Sequence, residues 1–137
     1  MRVDFYLLES NAHEPLHLCA RLCARAFDEG LRPLIRAADT GTARALDALL
    51  WRVPAGRFLP HGIVGDAAAE RAPIRITTGD EAAALIVNLS GRTVHGALPA
   101  GARILEIVAA DEEALSAARE RFRDYRQAGA ELHTHKL

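Results

Sequence analysis

From Ala84 to Leu89 the chain reads Ala-Leu-Ile-Val-Asn-Leu, a β-prone run with one polar residue. A strand that shows one face to water alternates apolar and polar residues. A run without that alternation belongs to a strand covered on both faces. Such a strand needs a sheet with helices on either side, and the rest of the chain supplies that pattern.

Val3 to Leu8 reads as a buried first strand. Glu9-Ser10-Asn11-Ala12 is turn chemistry, and Pro15 suits the first turn of a helix. Leu16, Cys19, Ala20, Cys23 and Phe27 then recur at helical spacing, with His17, Arg21, Arg25 and Asp28 on the other side, until Gly30 stops the helix. Leu31 to Ala37 reads as a second strand. Asp39-Thr40-Gly41-Thr42 offers helix caps, and Ala43, Leu46, Leu49 and Leu50 form the stripe of a second helix ending near Trp51. Arg52 to Arg71 is punctuated by Pro54, Gly56, Pro60, Gly62 and Gly65 and reads as a long loop. Pro73 to Thr77 and Ile104 to Val108 are further strands. Asp111 to Ala128 is a final helix with Glu112 and Glu113 in its first turn, closed by Gly129 and followed by a tail from Ala130 to Leu137. The order predicts a three-layer α/β domain over residues 1–137, with a mostly parallel sheet of about five strands joined by short crossovers.

Composition narrows the function classes. A chain of 137 residues, half of them hydrophobic, fits one folded domain. Lys and Arg number 17 against 18 Asp and Glu, so no global field gathers nucleic-acid phosphates. Two cysteines make no disulfide framework. No apolar run reaches the ~18 residues of a membrane span, and Asp4 interrupts the place of a signal peptide's apolar stretch, so a cytoplasmic location is expected.

Phosphate-binding signatures are missing: there is no G-x-G-x-x-G after the first strand and no G-x-x-x-x-G-K-[ST]. Asp39 to Thr42 reads as a helix cap before it reads as an anion cradle. Cys19 and Cys23 share a helix face, but two residues turn about 200°, which points His17 away from Cys19. His13 precedes Pro15, outside the helix. No metal site is expected from these four residues, and no nucleophile motif surrounds either cysteine.

Two stretches carry more. Between Leu50 and His61 the only tryptophan, Trp51, joins Phe58 and two prolines, as either a lid tucked on the core or an exposed docking patch. In the final helix Arg119, Phe122, Arg123 and Arg126 fall at i, i+3, i+4 and i+7, beside an apolar face of Leu115, Ala118, Phe122 and Tyr125. Three guanidiniums beside an aromatic suit an acidic peptide that ends in an apolar residue and a free carboxylate. The competing reading is an ordinary solvated face, its charge balanced by Glu120 and Asp124.

Trp51 with Phe58-Leu59-Pro60-His61, the run Ala118-Arg119-Glu120-Arg121-Phe122-Arg123-Asp124-Tyr125-Arg126-Gln127-Ala128-Gly129, and the opening Asp4-Phe5-Tyr6-Leu7-Leu8 together resemble the chi subunit family of bacterial DNA polymerase III. The resemblance covers nearly the whole chain, apart from Thr78 to Ala102. It implies a Rossmann-like fold with no working nucleotide loop, no catalysis and no cofactor. It implies an adaptor that joins the clamp-loader complex to single-stranded-DNA-binding protein by gripping that protein's acidic C-terminal tail, with DNA contacted only indirectly and no membrane. By the same resemblance Arg119, Phe122 and Arg123 are tail-binding positions, and Arg126, on the same helix face, is expected to join them in neutralising the tail's carboxylates. Trp51 and Phe58 match the surface for the psi subunit, which is also implicated in contact with a helicase-like repair protein. A family lysine one turn earlier is replaced by Leu115, and Phe122 stands where a tyrosine is often found.

Two rivals remain at the level of sequence. One is a small enzyme using the Arg52–Arg71 loop as a lid and His61 as acid/base, which needs a deep pocket around His61. The other is direct nucleic-acid binding through the arginine face, which the near-neutral charge disfavours.

Overall fold

The computed structural model describes residues 1–10, 14–67 and 69–137. Its seven strands form one sheet: β1 (Arg2–Leu7), β2 (Leu34–Ala37), β3 (His61–Ile63), β4 (Ile74–Thr77), β5 (Leu85–Leu89), β6 (Arg103–Val108) and β7 (Glu131–Lys136). Three helices flank it: α1 (Pro15–Asp28), α2 (Thr40–Leu50) and α3 (Glu112–Gln127). The strand order is β3-β4-β2-β5-β6-β1-β7, and every pairing is parallel.

The expected architecture stands, with two strands more than expected. β3 lies inside the stretch read as a loop, where His61, Gly62 and Ile63 pair with Ile74, Arg75 and Ile76. Three residues among prolines and glycines are too few to carry a periodic signal. β7 lies in the tail, pairing from Arg2↔Glu131 to Leu7↔Lys136. Its Glu-Leu-His-Thr-His-Lys composition is that of an edge strand, which meets a neighbour on one side and tolerates charge. β2 starts at Leu34 rather than Leu31. The turn expected at Glu9 to Ala12 falls partly at Asn11 and Ala12, which lie outside the described residues, as does His13.

β5 takes the central place in the sheet, as its apolar run requires. Leu85 and Val87 face a core built with α1 and α2, while Ile86 faces a second core under α3. β6 divides the same way, Leu105 and Ile107 against Ile104 and Val108. So α1 and α2 cover one face and α3 the other.

Helix ends follow local chemistry. Asp39 accepts from the Thr42 amide at 2.7 Å and Asp111 from the Ala114 amide at 3.1 Å, capping α2 and α3. α1 and α3 both close in Schellman motifs on a glycine with positive φ. Gly30 N–H reaches Phe27 O and Leu31 N–H reaches Ala26 O; Gly129 N–H reaches Arg126 O and Ala130 N–H reaches Tyr125 O.

A charged knot holds the β7 edge. The fully buried Asp4 carboxylate accepts from Arg2 at 3.1 Å, Arg103 Nε at 2.9 Å and His135 Nε2 at 2.8 Å, so β1, β6 and β7 share one anion. Burial opposes its ionisation, but the hydrogen bonds from Arg2, His135 and Arg103 outweigh that and hold its pKa well below the usual carboxylate range.

Candidate functional site

α3 is pinned to the sheet by a buried polar network. Asn88 and Glu106 sit opposite each other on β5 and β6. Glu106 Oε1 accepts from Arg121 Nε at 3.1 Å; its Oε2 accepts from Tyr125 Oη at 2.6 Å and Asn88 Nδ2 at 2.8 Å. Tyr125 Oη in turn accepts from the Val94 amide at 3.0 Å, and Arg121 donates to Gly91 O at 3.2 Å. Burial raises the Glu106 pKa against the pull of Arg121, Tyr125 and Asn88. Burial and the Glu106 charge push Tyr125 well above the phenol range. All contacts to Glu106 are donors, which is the pattern a carboxylate requires.

With Arg121 and Tyr125 turned inward, the neighbouring residues face out. Arg119, Arg123 and Arg126 are exposed, and Phe122 is half-buried between them. The Phe122 ring packs against Phe5 at 5.5 Å between centroids, and the Arg126 guanidinium lies 5.1 Å above it. Among the described residues, Arg119, Arg123 and Arg126 make no side-chain hydrogen bond or ion pair. Glu120 and Asp124, expected as their balance, do not pair with them; Asp124 accepts from Thr93 Oγ1 at 2.6 Å instead. One turn earlier, half-buried Leu115 lines an open cleft of about 410 Å³ with Leu7, Leu8, Glu9, Ala110 and Lys136.

The second stretch settles as an exposed aromatic patch rather than a tucked lid. Trp51 is 58% exposed and Phe58 65% exposed, their ring centroids 5.5 Å apart. Leu59 anchors the segment in the core, and Arg57 grips Asp28 at the end of α1 through bonds of 2.8 and 2.6 Å. The patch arises from α2's exit and the lead into β3, whereas the network joins β5, β6 and α3.

His61 supports that patch and is no acid/base facing a substrate. Its side chain is fully buried, with Nδ1 2.6 Å from Leu59 O and Nε2 3.0 Å from Asp47 O and 3.3 Å from Asp47 Oδ1. The Trp51 ring stands edge-on to it at 4.9 Å. Cys19 and Cys23 are buried free thiols, while His17 pairs with Glu14 on the exposed side. The Cys23 thiol beside it, together with full burial, pushes Cys19 well up. Among the described residues no His, Cys, Asp or Glu cluster could hold a metal, and no helix is long and apolar enough to cross a membrane.

Sequence reasoning missed the network, although its signal was present. Asn88 is the polar residue of β5 and Glu106 that of the Ile104–Val108 run, and a polar residue on a strand covered on both faces must find a partner inside.

Comparison with known proteins finds relatives over nearly the whole chain. The profile of the family described as "DNA polymerase III chi subunit, HolC" matches residues 1–133. A DNA polymerase III subunit chi from Pseudomonas aeruginosa is 31% identical, covering 99% of this chain and 96% of the relative. The subunit of the same name from Escherichia coli is 28% identical over 95% of this chain and 94% of the relative. That from Haemophilus influenzae is 25% identical over 98% and 96%. The chain belongs to the DNA polymerase III chi subunit family.

Proposed function

We propose that this chain, as one chi-like α/β domain over residues 1–137, is a non-enzymatic adaptor of the replication machinery. It links the clamp-loader complex to single-stranded-DNA-binding protein by gripping that protein's acidic C-terminal tail. The observation that carries the reading is the outer face of α3: three guanidiniums without an acidic partner among the described residues, around an aromatic ring held from below. Arg119 and Arg123 receive the tail's carboxylates, and Phe122, stiffened by Phe5 and Arg126, receives its apolar end. Lys136, across the cleft from Leu115, offers a cation where the family lysine is missing.

Such contacts lie open to solvent, so binding weakens with salt. Each tail binds modestly, and several tails offered together raise the avidity. Trp51 and Phe58 form the second contact, for the psi subunit or another partner that buries two aromatic rings. The location that follows from this role is the cytoplasm.

Calorimetric titration with the tail peptide, once with a free C-terminus and once amidated, tests the reading. Loss of most of the affinity on amidation supports a site that reads the terminal carboxylate. Equal binding of both peptides counts against it.

A further inference from the structure

A second group of cationic side chains lies beside the loop to which α3 is anchored. Arg36, Asp80, Arg92, Thr93, His95 and Gly96 line a cleft of about 460 Å³ at the carboxyl ends of β2 and β5. Two features make it more than a gap between loops.

The first is Arg36. It is only 5% exposed, yet its Nε is buried without a hydrogen-bond partner. Its NH2 group donates to Asp80 O at 3.0 Å and Glu81 O at 2.8 Å. Its NH1 group meets only the Asp80 carboxylate at 3.9 Å, and that carboxylate is 92% exposed. A buried guanidinium with donors left over is costly unless an anion completes it.

The second is topology. β2 leaves through α2 to the face shared with α1, whereas β5 leaves through a connection whose Val94 and Leu98 pack under α3. Adjacent parallel strands whose connections part to opposite faces open a crevice at their carboxyl ends, where open α/β sheets take ligands. The β5 connection is held firmly there by Arg121 on Gly91 O, Tyr125 on the Val94 amide and Asp124 on Thr93. Arg92, Thr93 and His95 are thus presented on a fixed loop.

We infer that this cleft is a binding site for a phosphate-sized oxyanion, with Arg36 as its buried donor and Arg92, Thr93 and His95 as its outer wall. Asp80 is the carboxylate among the lining residues and competes with the ligand, while Asp124, behind the wall, already accepts the hydrogen bond of the Thr93 hydroxyl. The site is independent of the peptide-binding face of α3 and uses none of its arginines.

The test is a titration of the protein with inorganic phosphate at constant ionic strength, read by nitrogen–proton correlation spectra that include the arginine Nε–H signals. The expected result is saturable binding, with a Kd on the order of 1 mM or tighter and shifts centred on the Arg36 Nε–H and residues 92–96. Arg92→Gln weakens it roughly tenfold by removing a charge-assisted contact. Asp80→Asn, at an exposed position, tightens it severalfold. Arg123→Ala leaves it unchanged. Thymidine monophosphate as a second probe separates the sources. Tighter binding than inorganic phosphate assigns the site to phosphate on a nucleoside, and weaker binding assigns it to free phosphate. Absence of saturation, or an Asp80→Asn variant that binds no better, overturns the inference and leaves Arg36 as a strut for the loop at Asp80 and Glu81.

Discussion

Arg121 and Glu106 meet at 3.1 Å beneath α3, both side chains buried, and this pair orients the helix that carries the proposed peptide site. It fixes which face of α3 turns outward, because Arg121 lies between Arg119 and Phe122 and Arg123 in sequence.

Breaking that pair should cost more than its net worth. Arg121→Ala leaves a buried carboxylate short of its cation, a loss of about 3–5 kcal/mol. Tyr125→Phe strands the Val94 amide and removes one donor from Glu106, a loss of about 1–3 kcal/mol. Urea denaturation of both variants checks the order. A Tyr125→Phe protein as stable as its parent would show that the network does not hold the loop.

Acid should loosen the β7 edge. Asp4 has a folded pKa below its unfolded value, so the unfolded chain binds more protons as pH falls. Its contribution is full above the ordinary carboxylate pKa of about 4 and drains below it. Asp4→Asn should be less stable at neutral pH and show a flatter acid limb. Thermal melts of both proteins from neutral pH downward test this, and parallel acid limbs would contradict it.

The aromatic patch should be separable from the core. Trp51→Ala and Phe58→Ala change stability by only about 0.5 kcal/mol, as exposed positions do. Leu59→Ala, next to Phe58 but buried, costs about 2–5 kcal/mol. If the two exposed variants also lose a psi-type partner in co-purification, the patch is an interface. If they unfold as readily as Leu59→Ala, it is structural.

Cys19 and Cys23 should be silent to thiol reagents in the folded protein, since both are buried and Cys19 is held protonated. A dithiobis-nitrobenzoate assay should count two thiols only after denaturation. Rapid reaction in the native state would place them nearer the surface than the structure does.

How far the sequence could be read depended on burial. β5 was legible because a strand covered on both faces must be apolar almost throughout. α3 was legible from Asp111, its acidic first turn and Gly129. β7 was not, because an edge strand with one neighbour is free to be polar, and Glu131 to Lys136 reads as a tail. β3 was too short to show a period. For the site, helical spacing placed Arg119, Phe122, Arg123 and Arg126 together on the outside. It could not place Arg121 inside, because only the neighbouring strand supplies Glu106. Likewise Arg36 carried no signal within Leu31 to Ala37, since its surroundings come from loops some 40 residues later in the chain.

The central claim is that the outer face of α3 grips an acidic tail. The measurement is a fluorescence-anisotropy titration of a labelled C-terminal peptide of single-stranded-DNA-binding protein, against wild type and Arg123→Ala, at low and moderate salt. Saturable binding that weakens with salt is predicted, with a loss of about 1–3 kcal/mol, roughly 5- to 150-fold in Kd, in the variant. Absence of binding by the wild type at high micromolar protein, or equal binding by Arg123→Ala, would contradict the account.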